Sequence, residues 1–281
     1  MVGVQARVKM VGLAQTRGVS SRRACALLNV SRSMLYYHHR QPERDAKLAR
    51  QLRELSRCYP RWGYRLVRNK LKAPISYGRV YRIWRSEGLS LPRKRKSKRL
   101  RGKKHRWLSA ICPNSIWAYD FVFDACANGQ KLKCLTLIDE WTRECLAIVP
   151  AARIRSAEVI NALSRLFALH GSPAFIRSDN GPEFVAQNVQ NWLKEQGVET
   201  SYIQPGKPWQ NGAIESFNAR FRADCLDIEW FNNRREAKWV IENWRKEYNE
   251  QRPHSGIQYE IPAQKRKSWE LEQLNTKKRA A

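Results

Sequence analysis

The sequence predicts an α/β protein in which a domain built on a mixed β-sheet, with helices on its faces, follows small all-α units. Two observations predict it. After residue 106, three strand-like runs are followed by alternating helix and strand patterns, which is typical of such a sheet. Before that point, apolar residues recur at helical spacing, and residues 1–106 hold 30 Lys and Arg against 4 Asp and Glu. Residues 107–281 hold 23 against 21.

The net charge of +28 therefore belongs almost entirely to the all-α part. A block of like charge repels itself and is tolerated mainly where a polyanion neutralises it, and nucleic acid is the commonest such partner. A solvated basic tail is the alternative. No stretch approaches the roughly 18 consecutive apolar residues of a membrane span, and the N-terminus has no signal-peptide core, so we expect no membrane partner. The seven cysteines and five histidines show no zinc-ligand spacing, which indicates reduced thiols, mostly in cores.

Residues 1–41 predict a helix-turn-helix-like unit. Apolar residues indicate a first helix, Ser20 or Ser21 can cap a second, and Ser31 can cap a third after a tight turn. In the third helix, Met34 and Leu35 would face inward. That leaves polar residues for a DNA groove or backbone, with an ordinary three-helix bundle as the alternative. The expected DNA-binding residues are Arg32, Ser33, Tyr36 and Arg40.

Residues 42–91 predict a second basic helical unit, because three apolar stripes at helical spacing are separated by arginines. The stripes are Leu48, Leu52 and Leu55; Leu66, Val67 and Leu71; and Val80, Ile83 and Trp84. The intervening arginines at positions 50, 53, 57, 61, 65 and 68 suit contact with phosphates.

Residues 92–106 predict an extended basic linker that joins the all-α part to the sheet domain. Ten of these fifteen residues are Lys or Arg and none is acidic, so the segment cannot build a core. A nuclear localisation signal is a compositional alternative that we disfavour, because the segment joins two domains. The residues expected to contact DNA here are Arg93, Lys94, Arg95 and Lys96.

The sheet domain is predicted to span residues 107–265, and a basic tail is predicted at residues 266–281. The predicted strands are 116–124, 133–139, 144–150, 174–177 and 198–203, with a first turn at Asn128-Gly129. Ser156 can cap a helix that Gly171 closes, and a helix carrying Val185, Val189, Trp192 and Leu193 stops at Gly197. Breaker residues at 204–212 predict a loop, and a helix begins near Ala213.

Three acids in this domain are candidates for a metal site. Asp120 lies in a strand, Asp179 at a strand end, and Glu215 in the first turns of a helix, with 35 residues between the last two. Two hard cations held by carboxylates can activate a nucleophile and stabilise the leaving oxygen in phosphodiester transfer. Any three acids can be selected from 25, so unrelated surface acids are the alternative.

The sequence motifs around these acids indicate a family more specifically than the spacing of the acids does. The informative stretches are 117–121 (WAYDF), 139–144 (DEWTRE), 177–184 (RSDNGPEF), 205–208 (PGKP), 215–218 (ESFN) and 248–255 (YNEQRPHS). With them, residues 15–265 resemble the DDE transposases and retroviral integrases, and most closely the second-frame, OrfB-type transposases of bacterial insertion sequences. The resemblance implies a ribonuclease H-like catalytic domain that cuts and joins DNA.

The resemblance also implies roles for single residues. Asp120, Asp179 and Glu215 would be the catalytic ligands of two Mg²⁺ or Mn²⁺ ions. Asp139 and Glu183 are the main competitors for a site role, and His254 lies in a shared motif without a derivable role. The residues implied to face DNA near the metals are Lys207, Asn218 and Arg222.

The implied partners are the terminal inverted repeats of the element and the target DNA, bound by a homo-oligomer in the cytoplasm at the nucleoid. A first-frame, OrfA-type product would supply a further helix-turn-helix and a coiled coil, since this chain has no such heptad run. Two other functions stay open. One is a catalytically silent DNA-binding regulator or remnant of an element, and the other is a host nuclease of ribonuclease H type.

Overall fold

The computed structural model describes residues 3–36, 41–92, 108–179, 181, 183–184, 186–203 and 208–280. Six predicted DNA-binding residues lie outside these ranges: Arg40, Arg93, Lys94, Arg95, Lys96 and Lys207. The chain packs as two compact units, Met1–Cys58 with Arg82–Leu89, and Tyr59–Tyr81 with Ser90–Ala281. The five domains predicted from the sequence stay a prediction.

The first unit contains four complete helices, and the predicted helical N-terminal region is confirmed. They are α1 (Val4–Thr16), α2 (Ser21–Leu27), α3 (Arg32–Leu35) and α4 (Gln41–Cys58). Val11, Ala24, Cys25 and Val30 form a small buried core. As predicted, Ser20 caps α2, because its hydroxyl accepts a hydrogen bond from the Arg23 N–H at 3.4 Å.

Two predictions for α3 are wrong. Ser31 precedes the helix but makes no side-chain cap, because its hydroxyl is hydrogen bonded to the Ser33 hydroxyl at 3.1 Å instead. Met34 is exposed rather than inward, whereas Leu35 packs against the small core. The helix is a single turn, so it cannot turn both side chains to one apolar face.

Helices α5 (Tyr64–Lys70) and α6 (Tyr77–Ser86) carry the other two predicted stripes. Val67, Val80 and Trp84 are buried, as the spacing predicts. Two of the intervening arginines have partners within the protein: Arg53 pairs with Glu87, and Arg68 donates to the Ile75 carbonyl at 2.8 Å. These two arginines are therefore less available for phosphate than their spacing suggested.

The second unit contains a five-stranded mixed sheet, and the predicted ribonuclease H-like architecture is confirmed. Its strands are β1 (Ile116–Ala125), β2 (Lys131–Asp139), β3 (Cys145–Ala151), β4 (Phe175–Ser178) and β5 (Glu199–Tyr202). Their order is β3-β2-β1-β4-β5. The first three strands pair antiparallel, and β4 runs parallel to both β1 and β5. The predicted turn at Asn128-Gly129 is confirmed, with Gly129 at φ 77°.

In the described part of the chain, four helices cover the two faces of the sheet, and a fifth contacts the fourth. They are α7 (Ser156–His170), α8 (Gln187–Glu195), α9 (Gly212–Phe221), α10 (Arg234–Gln251) and α11 (Pro262–Ala280). Short helical turns span Pro208–Asn211, Arg222–Leu226 and Ser255–Ile257. Gly171 and Gly197 follow α7 and α8 with positive φ, as predicted. Ser156 is the first helical residue rather than the cap, because Arg155 precedes it and donates its N–H to Glu158 at 2.8 Å.

Successive side chains of β1 enter two separate cores, because a strand alternates its faces. Trp117 and Tyr119 pack in the core with Leu163 of α7 and Leu193 of α8. On the other face, Ala118 and Val122 pack in a core formed with Ile214, Phe217 and Phe221 of α9 and with Ile241 and Tyr248 of α10. Asp120 lies between Ala118 and Val122 in this alternation, so the second face is the one it shares with α9.

The segment Tyr59–Tyr81 belongs to the same unit as the sheet. Tyr59 and Trp62 stack with ring centroids 4.1 Å apart, and the Arg252 guanidinium lies 5.1 Å from the Trp62 centroid. All seven cysteines are free and five of them are buried, in line with the prediction of reduced core thiols. Among the described residues, no helix is long and apolar enough to cross a membrane.

Candidate active site

Asp120 and Asp179 lie at corresponding positions of two neighbouring parallel strands. Ala118 of β1 is in register with Arg177 of β4, and each acid lies two residues further along its chain. The carboxyl ends of parallel neighbours meet at one edge of a sheet. The sheet therefore brings these two predicted site residues together.

Glu215 approaches from α9, whose Ile214 and Phe217 are buried against the same face of the sheet. Its own side chain is exposed. Both Glu215 and Asp179 act on Asp120 by charge repulsion and raise the pKa of that carboxyl. Asp179 and Glu215 are therefore both close enough to Asp120 to affect its ionisation.

Burial is the largest cause of the perturbed pKa of Asp120, which rises to about 6 from its ordinary value of 3.8. Two hydrogen bonds act in the opposite direction. The Phe121 N–H donates to Oδ1 at 2.7 Å, and the Asn218 side-chain amide donates to Oδ2 at 2.9 Å. Partial desolvation also raises the pKa of Glu215, although most of its side chain is exposed. A desolvated carboxyl with other acids nearby, as at Asp120, favours either a proton or a cation.

The chain just after Asp179 is fastened to the sheet by Phe184. Its buried ring stacks on Phe121 with centroids 4.6 Å apart and meets Tyr119 edge-on at 4.2 Å. The Gly181 N–H donates to Asp179 Oδ1 at 3.1 Å, and a Cβ at position 181 would lie 3.1 Å from that oxygen. A side chain there would crowd the carboxylate, so glycine suits this position.

The chemistry of the three acids fits a hard divalent cation, because Mg²⁺ and Mn²⁺ prefer carboxylate oxygens. Within the described ranges, however, no three or more His, Cys, Asp or Glu side chains are arranged to hold a metal ion. Both oxygens of Asp120 are engaged by protein donors. Residues 180, 182 and 185 beside Asp179 are outside the described part of the chain.

The two competing acids have other partners. Asp139 is fully buried and accepts backbone hydrogen bonds from Asn114 at 2.7 Å and from Trp141 and Thr142 at 2.9 Å. It therefore closes the turn between β2 and β3. Glu183 forms an ion pair with Lys133 of β2, which lowers the pKa of Glu183.

The described residues predicted to contact DNA have varied surroundings. Asn218 is bonded to Asp120, and Arg222 is exposed but donates to the Phe123 carbonyl at 2.6 Å. Arg32 and Ser33 lie on α3, and Tyr36 follows it with 73% of its surface exposed. Their contacts with DNA stay a prediction.

Sequence reasoning missed two groups that support the acids. Thr136 of β2 is fully buried and donates to Asn218 Oδ1 at 2.9 Å. Arg177 forms a buried ion pair with Glu140, two residues before Asp179. Both groups could have been noticed in the sequence, since Thr136 is a hydroxyl inside an apolar strand and Arg177 is a charged residue in a buried strand. A buried polar group needs a hydrogen-bond partner, so each of them indicates a contact within the protein.

Comparison with known proteins adds a family to this geometry. Models of the integrase core domain match residues 110–208 and 196–262. An insertion element IS407 protein of Burkholderia multivorans is 38% identical over 258 residues, which cover 91% of this chain and 93% of the relative. The chain belongs to the DDE transposase and integrase family, of the OrfB type. An insertion element IS476 protein of Xanthomonas euvesicatoria is 36% identical, over 92% of this chain and 75% of the relative.

More distant members carry the functional name. The putative transposase InsK of IS150 from Escherichia coli is 28% identical, over 79% of this chain and 85% of the relative. A solved structure of the HTLV-2 integrase catalytic core domain, in complex with magnesium, covers 56% of this chain and 98% of its own, at 20% identity and a TM-score of 0.42. The sequence relatives carry the assignment. The protein is an insertion-sequence transposase, from a family of polynucleotidyl transferases that use divalent metals and act on DNA as oligomers.

Proposed function

We propose that this transposase cleaves the DNA at the ends of its element and joins it to target DNA with two divalent metal ions held by Asp120, Asp179 and Glu215. The observation that carries the proposal is the register of β1 and β4, which places the first two acids side by side. Burial is the largest cause of the raised pKa of Asp120, and repulsion from Asp179 and Glu215 adds to it. This supports the proposal further, because clustered acids are normally neutralised by a cation.

When bound, the two ions would supply electrophilic activation of the phosphate and of the attacking water or 3′-hydroxyl. The chain's own residues have separate tasks. Asn218 holds one oxygen of Asp120, and the ring of Phe184 fixes the chain that follows Asp179. Glu215 enters from a helix whose buried face is packed on the sheet, so its position follows that of α9.

The basic regions would bind the DNA on which these acids act. We propose that residues 1–41 and 42–91 bind the terminal inverted repeats, and that Arg93, Lys94, Arg95 and Lys96 follow the phosphate backbone. Lys207 and Arg222 would contact the strand near the metals. We further propose that a first-frame, OrfA-type product takes part, and that the protein acts in the bacterial cytoplasm at the nucleoid. The concentration of charge before residue 107 supports the DNA contacts.

Cleavage and strand joining on labelled element ends, in Mg²⁺ or Mn²⁺, test the proposal. Replacing Asp120, Asp179 or Glu215 with Ala should remove both reactions and leave DNA binding near that of the unaltered protein. Asp227→Ala is the control, because this acid is exposed, is not one of the three proposed ligands, and should retain cleavage when replaced. Full cleavage by all three variants would refute the metal site. Binding without cleavage by the unaltered protein would favour the regulator.

A further inference from the structure

Thr136 is a buried hydroxyl placed opposite the candidate metal ligand. It pairs with Asp120 across the antiparallel strands β1 and β2 and has 0% of its surface exposed. Its neighbours Leu135 and Leu137 enter the core on the other face of the sheet. The hydroxyl is therefore on the side of the sheet that α9 covers, where water cannot satisfy it and a protein partner must.

That partner is the side chain of Asn218. The Thr136 hydroxyl donates to Asn218 Oδ1 at 2.9 Å, and Asn218 Nδ2 donates to Asp120 Oδ2, also at 2.9 Å. The result is a chain of two hydrogen bonds that links β2 to the carboxylate on β1 through a helix residue. Its members come from three separate elements of the fold.

The donor and the acceptor in each of these two hydrogen bonds follow from the chemistry of the groups. An ionised carboxylate can only accept hydrogen bonds, so Asn218 must present its NH₂ group to Asp120. The amide carbonyl then faces Thr136, which must donate. The single hydroxyl proton has a second acceptor in the Asp120 backbone carbonyl at 3.1 Å, but the contact with Asn218 is shorter. Thr136 therefore holds the amide in the orientation that the carboxylate requires.

These two hydrogen bonds leave the Asp120 carboxylate able to bind a cation. Each carboxylate oxygen has about two acceptor sites, and Asn218 occupies one of those on Oδ2. The hydrogen bond from Asn218 fixes the orientation of the Asp120 carboxylate before a cation binds. Residues that hydrogen bond to a metal ligand usually have this effect.

We propose that Thr136 is a positioning residue, which holds the Asn218 amide in place and through it keeps the Asp120 carboxylate ready for a divalent cation. The inference rests on the proposed function, since it assumes that Asp120 is a metal ligand. It assigns no contact between Thr136 and DNA or metal. The proposed effect on the carboxylate passes through Asn218, and the contact of the Thr136 hydroxyl with the Asp120 backbone carbonyl is the longer of its two.

Binding of Mn²⁺ to the full chain without DNA, measured by the electron paramagnetic resonance signal of the free ion, tests this inference. Thr136→Val keeps the shape but removes the donor, and should weaken Mn²⁺ binding about tenfold or more, the scale seen for groups behind a ligand. Thr136→Ser restores the donor and should stay within about twofold of the unaltered protein. Thr142→Val is the matched control, because Thr142 is equally buried but bonds to Glu144.

A double-mutant cycle separates positioning from general loosening of the core. In an Asn218→Ala background the amide is absent, so Thr136→Val should change Mn²⁺ affinity by less than about twofold. An equal loss in both backgrounds overturns the inference. So does unchanged affinity in Thr136→Val when Asp120→Asn abolishes binding, an outcome that leaves the proposed function intact. Mn²⁺ binding that does not depend on Asp120 overturns both.

Discussion

Arg177 donates from one guanidinium nitrogen to both carboxylate oxygens of Glu140 at 2.8 Å, and each side chain is only 8% exposed. A second nitrogen donates to the Leu108 carbonyl at 2.7 Å. Burial raises the pKa of Glu140 more than the arginine lowers it, so the pair is held together against a considerable desolvation penalty. Arg177 lies two residues before Asp179, so the pair fixes the end of β4.

Breaking this pair should destabilise the protein strongly. Arg177→Met leaves the Glu140 carboxylate buried and unpaired, and should lower the free energy of unfolding by about 3–5 kcal/mol in urea denaturation. The double variant Arg177→Met, Glu140→Leu should recover much of that loss, because no charge is then buried. Lys265→Met, which breaks the more exposed pair with Glu260, is the control and should cost about 1 kcal/mol or less. Equal losses in all three would contradict the explanation.

Asp139 should prove structural although it is a buried acid in a shared motif. Asp139→Ala removes the acceptor of three backbone N–H groups and should lower the free energy of unfolding by about 3 kcal/mol or more. Cleavage by the folded fraction should persist when activity is normalised to the folded protein measured by circular dichroism. A complete loss of cleavage in a fully folded variant would instead place Asp139 in the reaction.

Asp120 should make the metal-free protein less stable as the pH rises. Its folded pKa of about 6 is above the ordinary value of 3.8, so its stabilising contribution is complete below pH 3.8 and is lost as the pH rises through about 6. Thermal melting in a chelating buffer should therefore show Asp120→Asn gaining on the unaltered protein between pH 4 and 7. A constant difference across this range would show that Asp120 does not titrate there.

His254 should have the opposite pH dependence. Burial, assisted by Arg143, Arg252 and Arg220, lowers its pKa to about 4 from the ordinary value of 6.5. Its contribution to stability is therefore present above pH 6.5 and is lost as the pH falls through about 4. The neutral ring accepts the Gly256 N–H at 3.1 Å through Nδ1, which protonation would prevent.

The variant His254→Asn can keep an acceptor near that position without titrating. The unaltered protein should lose stability relative to it as the pH falls from 6.5 to 4, measured by thermal melting. If the two proteins keep a fixed difference in melting temperature, the histidine is not the acid-sensitive group.

The sheet could be predicted because its strands and turns are indicated by residues that are close together in the sequence. The apolar run of β1, the Asn128-Gly129 turn and the glycines after α7 and α8 each act within a few residues. The helix caps were harder. Ser31 and Ser156 have suitable side chains, but the first bonds another hydroxyl and the second begins the helix.

The candidate site divides in the same way. Asp120, Asp179 and Glu215 could be selected from their flanking residues, but the roles of Thr136 and Glu140 depend on contacts between distant segments. Thr136 is 82 residues from its partner Asn218, and Glu140 is 37 from Arg177. No local pattern encodes such pairs, so only the assembled sheet reveals them.

The Arg252 guanidinium that lies over Trp62 also pairs with Asp224, and both of these charged side chains are only 7% exposed. Expression of the integrase core as a fragment that starts at residue 107 would delete Trp62 and open this site to water. Such a fragment should be poorly soluble or prone to aggregate. A cut placed before Tyr59 keeps the tryptophan with the arginine it covers, and is the better starting point for crystallisation.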